Sequence, residues 1–171
     1  MNRISPDNIT ELKENEIFVF GSNLSGFHGG GAAKMAYDNF GAEWENPNGI
    51  QGQSYAIPTK SEFITRTLTI KEIKPYVDEF IEFAKENKDL TFLVTEIGCG
   101  LAGLKVKDVA PLFKNAGDLS NVHLPYNFWK EFKYSKWFEL ADSVTIDSEI
   151  MEKLNEFSKI IGNEKPKKKR F

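Results

Sequence analysis

Apolar residues fall along this chain in short runs broken by glycine and turn residues, and the runs alternate between two periods. Ile17-Phe18-Val19-Phe20 is continuously apolar, the pattern of a central strand covered on both faces. It feeds a long loop from Gly21 to Gly31. Beyond the loop, Ala32, Met35, Ala36 and Phe40 recur at helical spacing, and Gly41 stands where a helix would end. Ser54-Tyr55-Ala56-Ile57-Pro58 reads as a strand that Pro58 ends or confines to an edge, with Thr59-Lys60-Ser61 just past it. Ile73, Tyr76, Val77, Phe80, Phe83 and Ala84 share one face of a longer helix, in which Pro75 fits only the first turn. Thr91 to Ile97 is the next strand and runs straight into Gly98-Cys99-Gly100-Leu101-Ala102-Gly103. Val106, Val109, Ala110 and Phe113 mark a short helix, and Asn121 to Pro125 a short last strand.

The connecting stretches are less regular. Ser5-Pro6-Asp7-Asn8 reads as a turn, and residues 9–15 as a short helix or an edge connection. Residues 43–52 form a loop with Trp44 as its bulky member, and residues 63–69 are β-rich but ambiguous. The stretch from Phe128 to Ile161, with aromatics crowded between Phe128 and Phe138, reads as helices closing over the sheet, the last an amphipathic helix over Ser148–Ile161.

Strand and helix alternate, which points to an α/β layered sheet with helices on both faces. Ligands of such sheets bind beyond the carboxyl ends of the strands. Both glycine loops, and Thr59-Lys60, fall at those ends. If the three strands are adjacent and parallel, the three segments converge on one crevice.

Size and charge narrow the reading. A chain of 171 residues is expected to form one domain over 1–163, with a core at about 16–127, a helical extension at 128–163 and a basic tail at 164–171. No apolar run approaches a membrane span, and the first residues lack a signal-peptide core, so a cytoplasmic location is expected. The single cysteine, Cys99, excludes an internal disulfide. The net charge of −3 conceals an asymmetry: the tail holds five cations and Glu164, leaving 17 cations against 24 anions elsewhere, a net of −7. A body this acidic is a poor nucleic-acid surface. The tail reads as a solvated end, with a polyanion-binding or nuclear-localisation patch as the sharper alternative. Two scattered histidines and one cysteine match no metal-ligand spacing, so neither metal nor cofactor is expected.

The first loop opens a helix after a strand, which presents free backbone N–H groups at a positive helix end. It lacks the G-x-x-x-x-G-K-[ST] of triphosphatases and the G-x-G-x-x-G that follows a first strand in dinucleotide enzymes. The second loop has glycines at 98, 100 and 103, but late in the chain and without the usual acidic residue beyond. Tight packing alone also favours such glycines, so the loops by themselves leave a purely structural role open.

Phe18-Val19-Phe20-Gly21-Ser22-Asn23-Leu24 followed by Gly29-Gly30-Gly31-Ala32-Ala33 resembles the first strand and first ligand loop of macrodomains, modules that bind ADP-ribose. Thr95-Glu96-Ile97-Gly98-Cys99-Gly100-Leu101 resembles their diphosphate-gripping loop, in the branch where an I-G-C-G-L string recurs. That branch removes ADP-ribose from glutamate or nucleic-acid ends. The strings are similar also to those of phage and bacterial proteins without an assigned role. The resemblance covers roughly residues 16–127. It implies a three-layer sandwich with a mixed, mostly parallel sheet, and a nucleotide-like small molecule as partner.

The resemblance also implies roles for individual residues. Asn23 would meet the distal ribose, with Gly21, Ser22 and His28 beside it. Gly29, Gly30, Gly31 and Ala32 would donate backbone N–H groups. Gly98, Cys99, Gly100, Leu101, Ala102 and Gly103 would wrap the phosphates from the other side. Phe128 is the candidate for stacking on adenine. For catalysis, Lys60 falls near the lysine that attacks the ribose in the deglutamylating branch, but Ala102 stands where that branch has an aspartate. A water-based hydrolysis would instead enlist Asn23 or His28. Three readings follow: an ADP-ribose-binding module, an ADP-ribosyl hydrolase, and an interaction protein whose glycine loops only turn corners.

Overall fold

The computed structural model describes residues 3–133. The chain divides at Lys133 into two units, and the described residues belong to the first. Tyr134, Trp137, Phe138, the expected helix over Ser148–Ile161 and the basic tail lie outside the described residues.

In chain order the elements are β1 (Glu16–Asn23), α1 (Gly31–Asn39), β2 (Gly49–Gln51), β3 (Ser54–Lys60), α2 (Ile70–Glu86), β4 (Thr91–Val94), α3 (Val106–Val109) and β5 (Val122–His123). A last helix, α4, begins at residue 126 and runs through 133. The sheet order is β2-β3-β1-β4-β5. β3, β1, β4 and β5 are mutually parallel, and only β2 runs against its neighbour. The α/β layering expected from the alternation is therefore present, as is the mixed, mostly parallel sheet that the resemblance implied, with β1 at its centre.

The period of two along β1 divides its side chains between two cores. Ile17 and Val19 face one side, where Ile73, Val77 and Phe80 of α2 and Phe113 cover them. Phe18 and Phe20 face the other, under Ala33 and Ala36 of α1 with Phe40 and Ile9. Val19 and Phe20 are both wholly buried. Full burial of such a side chain contributes roughly 1.5–3 kcal/mol, so a charge at either position would dismantle one layer.

Three local departures have physical reasons. Residues 49–51 pair with β3 as a short edge strand although their own pattern is that of a loop. β3 continues two residues past Pro58, because β2 ends opposite Ala56 and the proline's missing N–H faces no strand there. α2 starts at Ile70, so Pro75 lies in its second turn. A capping box formed by Thr69 and Glu72 fixes that early start.

The N-terminal segment is tied to the sheet. Ile4 bridges Leu124 in parallel, and Ser5 Oγ donates to the Val94 carbonyl at 2.7 Å. Among the described residues no helix is long and apolar enough to cross a membrane.

Candidate functional site

The carboxyl ends of β3, β1 and β4 lie side by side, and each delivers one segment to a cleft of about 550 Å³. From β1 comes the loop ending at α1. Gly30 caps that helix with no side-chain hydrogen bond, and its first turn holds no acidic residue. The N–H groups of a first helical turn have no intrahelical acceptor. Gly31, Ala32 and Ala33 line the cleft, so those donors border it. Opposite stand Gly98, Gly100, Leu101 and Ala102.

The second loop is held by its own backbone. Gly103 N–H donates to the Gly100 carbonyl at 2.9 Å, and Leu104 N–H to that of Gly98 at 3.0 Å. The Thr67 hydroxyl ties it to the β3 side through the Ala102 carbonyl at 2.7 Å. Gly98 has a φ of +72°, and a β-carbon there would stand 2.7 Å from Leu104 Cδ1. Only glycine fits both conditions. Gly21 forms the floor, where a β-carbon would meet Gly98 N and Thr59 Oγ1 at 3.3 Å.

Most residues predicted for the site line this cleft: Gly21, Ser22, Asn23, Gly29 to Ala32, Lys60, Gly98 and Gly100 to Ala102. Asn23 does so with its carboxamide already engaged. Its Oδ1 accepts from the N–H groups of Ser25 and Phe27, at 3.2 and 3.0 Å, and its Nδ2 donates to the Phe27 carbonyl at 2.6 Å. It clamps the turn of the first loop. Ser22 donates its hydroxyl to the Pro47 carbonyl. Lys60 stands half-buried at the end of β3.

Four of the predicted residues lie elsewhere. Phe128 is wholly buried, its ring 5.4 Å from that of Phe113, so the phase of α4 gives it to the core and not to a ligand. Cys99 packs half-buried on the same core, and Gly103 only closes the loop. His28 is no exposed loop tip: it is 1% exposed, edge-on to Phe20, and neither ring nitrogen makes a hydrogen bond.

The electrostatics follow from these placements. Burial holds the His28 imidazole below its ordinary pKa, although the Glu43 and Asn46 carbonyls and the Gln51 amide favour its cation. Gln51 itself accepts from the Glu43 N–H through Oε1 and donates to the Asn46 carbonyl through Nε2. Burial, assisted by Glu96, pushes the Cys99 thiol up to about 11. The charged residues lining the cleft are Lys60 and Glu96. One cation and one anion cancel, which leaves anion affinity to the backbone amides. Among the described residues no cluster could hold a metal ion.

A second cleft of about 600 Å³ adjoins the first and shares Gly31, Ala32, Thr95 and Glu96 with it. Asp7, Asn8, Ile9 and Asn127 are among its walls. Asn127 Nδ2 donates to Glu96 at the junction. Sequence reasoning did not place this second cleft. Its only local signal is the turn at Ser5-Pro6-Asp7-Asn8, and the long-range bridge from Ile4 to Leu124 places it.

No family model matches the sequence, and no curated protein matches it. Among solved structures, a mutant macrodomain of Oceanobacillus iheyensis matches with a TM-score of 0.54 and 18% identity, over 82% of this chain and 92% of that one. The fold is that of a macrodomain, as the two glycine loops implied.

Proposed function

We propose that the chain binds ADP-ribose, or a related nucleotide-diphosphate metabolite, in the crevice between its two glycine-rich loops. The observation that carries this reading is the uncapped N-terminus of α1 facing the backbone of Gly98–Ala102 across one cleft. A diphosphate matches that arrangement, because amides on both sides donate to its oxygens without a dedicated cation. The adjoining cleft lies on the β4 side and gives the adenosine half a place, with Asp7 as an acceptor for an exocyclic amine. The distal ribose then points toward Asn23 and Lys60.

Calorimetry with ADP-ribose tests it. Saturable one-to-one binding is expected. No heat at millimolar ligand would leave the interaction-protein reading in its place.

Lys60 on the cleft wall is the observation that favours hydrolysis as the second reading. Against it, His28 lies outside the cleft, the Asn23 carboxamide is engaged, and residue 102 is alanine. Binding without turnover is therefore preferred. Incubation with ADP-ribosylated protein or nucleic acid separates the two: release of ADP-ribose that vanishes in Lys60→Ala would establish the enzyme.

A further inference from the structure

We infer that the cleft continues at its Lys60 end into a stacking platform for a planar heterocycle, so that the preferred ligand carries a second base on its distal ribose. The inference rests on the diphosphate reading above and names the ligand class of the same site.

The end in question lies opposite the adenosine cleft. Phe27, Lys60 and Ile64 line the first cleft on the β3 side, whereas the residues shared with the second cleft include Thr95 and Glu96, just after β4. Beyond Phe27 the surface is aromatic. The Phe27 ring is stacked on Trp44 at 5.3 Å and 18°, and Phe63 approaches its centroid at 6.4 Å. Tyr37 meets Trp44 edge-on at 5.8 Å. Phe63 is 73% exposed, Trp44 49%, Tyr37 46% and Ile64 43%. Scattered exposed apolar residues are ordinary, but a contiguous patch at the mouth of a cleft marks a binding surface.

The backbone presents this patch at a cost. Phe63 and Ile64 both have positive φ, 51° and 59°, a conformation disfavoured for a bulky and a β-branched residue. Hydrogen bonds from Phe63 N–H to Ser25 Oγ at 2.9 Å and from Ile64 N–H to the Ser61 carbonyl at 3.1 Å hold the turn. The first of these fastens the turn to the first glycine loop. These contacts keep Ile64 on the cleft wall and Phe63 exposed beside Phe27, one ring beyond the cleft lining, rather than in a core.

A flat heterocycle is the occupant that this surface favours. The platform is continuous with the cleft through Phe27 and Ile64, so whatever leaves the distal ribose meets aromatic faces next. Base–aromatic stacking tolerates any base identity and strengthens binding about tenfold or more.

The test compares three ligands by calorimetry: ADP-ribose, oxidised nicotinamide dinucleotide and diadenosine diphosphate. The last two add a pyridinium or a purine to the distal ribose and so distinguish a cationic from a neutral heterocycle. At least one is expected to bind about tenfold more tightly than ADP-ribose. Phe63→Ala should erase that advantage while leaving the affinity for ADP-ribose and the melting midpoint unchanged. Binding of ADP-ribose with no gain from either base overturns the platform alone. Equal weakening of all three ligands by Phe63→Ala overturns it as well. Failure of all three ligands to bind overturns the diphosphate reading with it.

Discussion

Leu101 lies across the cleft on Gly31: a β-carbon at residue 31 would stand 3.2 Å from Leu101 Cδ1. The same methyl group is 3.3 Å from the corresponding position on Gly30. The second loop thus roofs the first with a side chain that is 74% exposed. An apolar roof excludes water from the amides beneath it and strengthens their hydrogen bonds to an anion. Leu101→Ala should therefore leave stability within about 0.5 kcal/mol, as surface changes do. It should weaken ADP-ribose binding roughly tenfold, mainly through faster dissociation. Stopped-flow release checks this, and an unchanged off-rate would show that the leucine is no roof.

Gly100 provides a sharper probe of the second loop. A β-carbon there meets nothing within 4 Å, and the residue lines the cleft. Gly100→Glu adds a carboxylate where the proposed diphosphate would lie, and like charges at short range oppose binding. The variant should melt with the wild type and lose ADP-ribose binding by at least about a hundredfold. Wild-type affinity in Gly100→Glu would remove the phosphates from this loop.

The parts of the site legible in the sequence are those built from backbone. Glycine announces a close approach or a left-handed turn by its identity, so Gly31 and Gly98 could be placed at once. β1 and α1 were legible because Ile17–Phe20 and Ala32–Phe40 carry unmixed periods. Phe128 was not, because an aromatic after a strand looks the same whether its ring enters the core or a cleft. Its direction depends on how α4 is phased against Phe113. Asp7 and Ile9 were missed for a different reason. Their position depends on the pairing of Ile4 with Leu124, a contact 120 residues long in sequence that no local pattern records. Thr69 belongs to a stretch that reads as β-rich, and only the reciprocal bonds with Glu72 reveal it as a helix cap.

Cys99 sits in the second loop, yet its chemistry is quiet. With the thiol raised to about 11, first by burial and then by Glu96, the thiolate is scarce at neutral pH. Alkylation by iodoacetamide at pH 8 should run roughly a hundredfold slower than at an exposed cysteine, two pKa steps being a hundredfold in thiolate. Mass spectrometry of timed samples measures this. Rapid labelling of the folded protein would show instead an accessible, reactive thiolate at Cys99.

His28 makes stability depend on acid. Burial lowers its pKa in the folded protein below 6.5, while the unfolded chain protonates it normally. The unfolded state therefore binds more protons in the window below 6.5, and stability falls as the pH drops through it. Burial lowers His123 in the same direction, so it contributes to the same loss. His28→Phe keeps the edge-on contact with Phe20 and removes two buried nitrogens that have no hydrogen bond. Leaving such a group unpaired costs about 1–3 kcal/mol, which offsets the strain of fitting a larger ring, so the variant should be at least as stable as the wild type at pH 7.5. Its loss of stability between pH 7.5 and 5 should also be smaller than that of the wild type, with the remainder belonging to His123. Urea midpoints at the two pH values decide the matter. An identical acid loss in both proteins would mean that the His28 imidazole takes up its proton inside the fold.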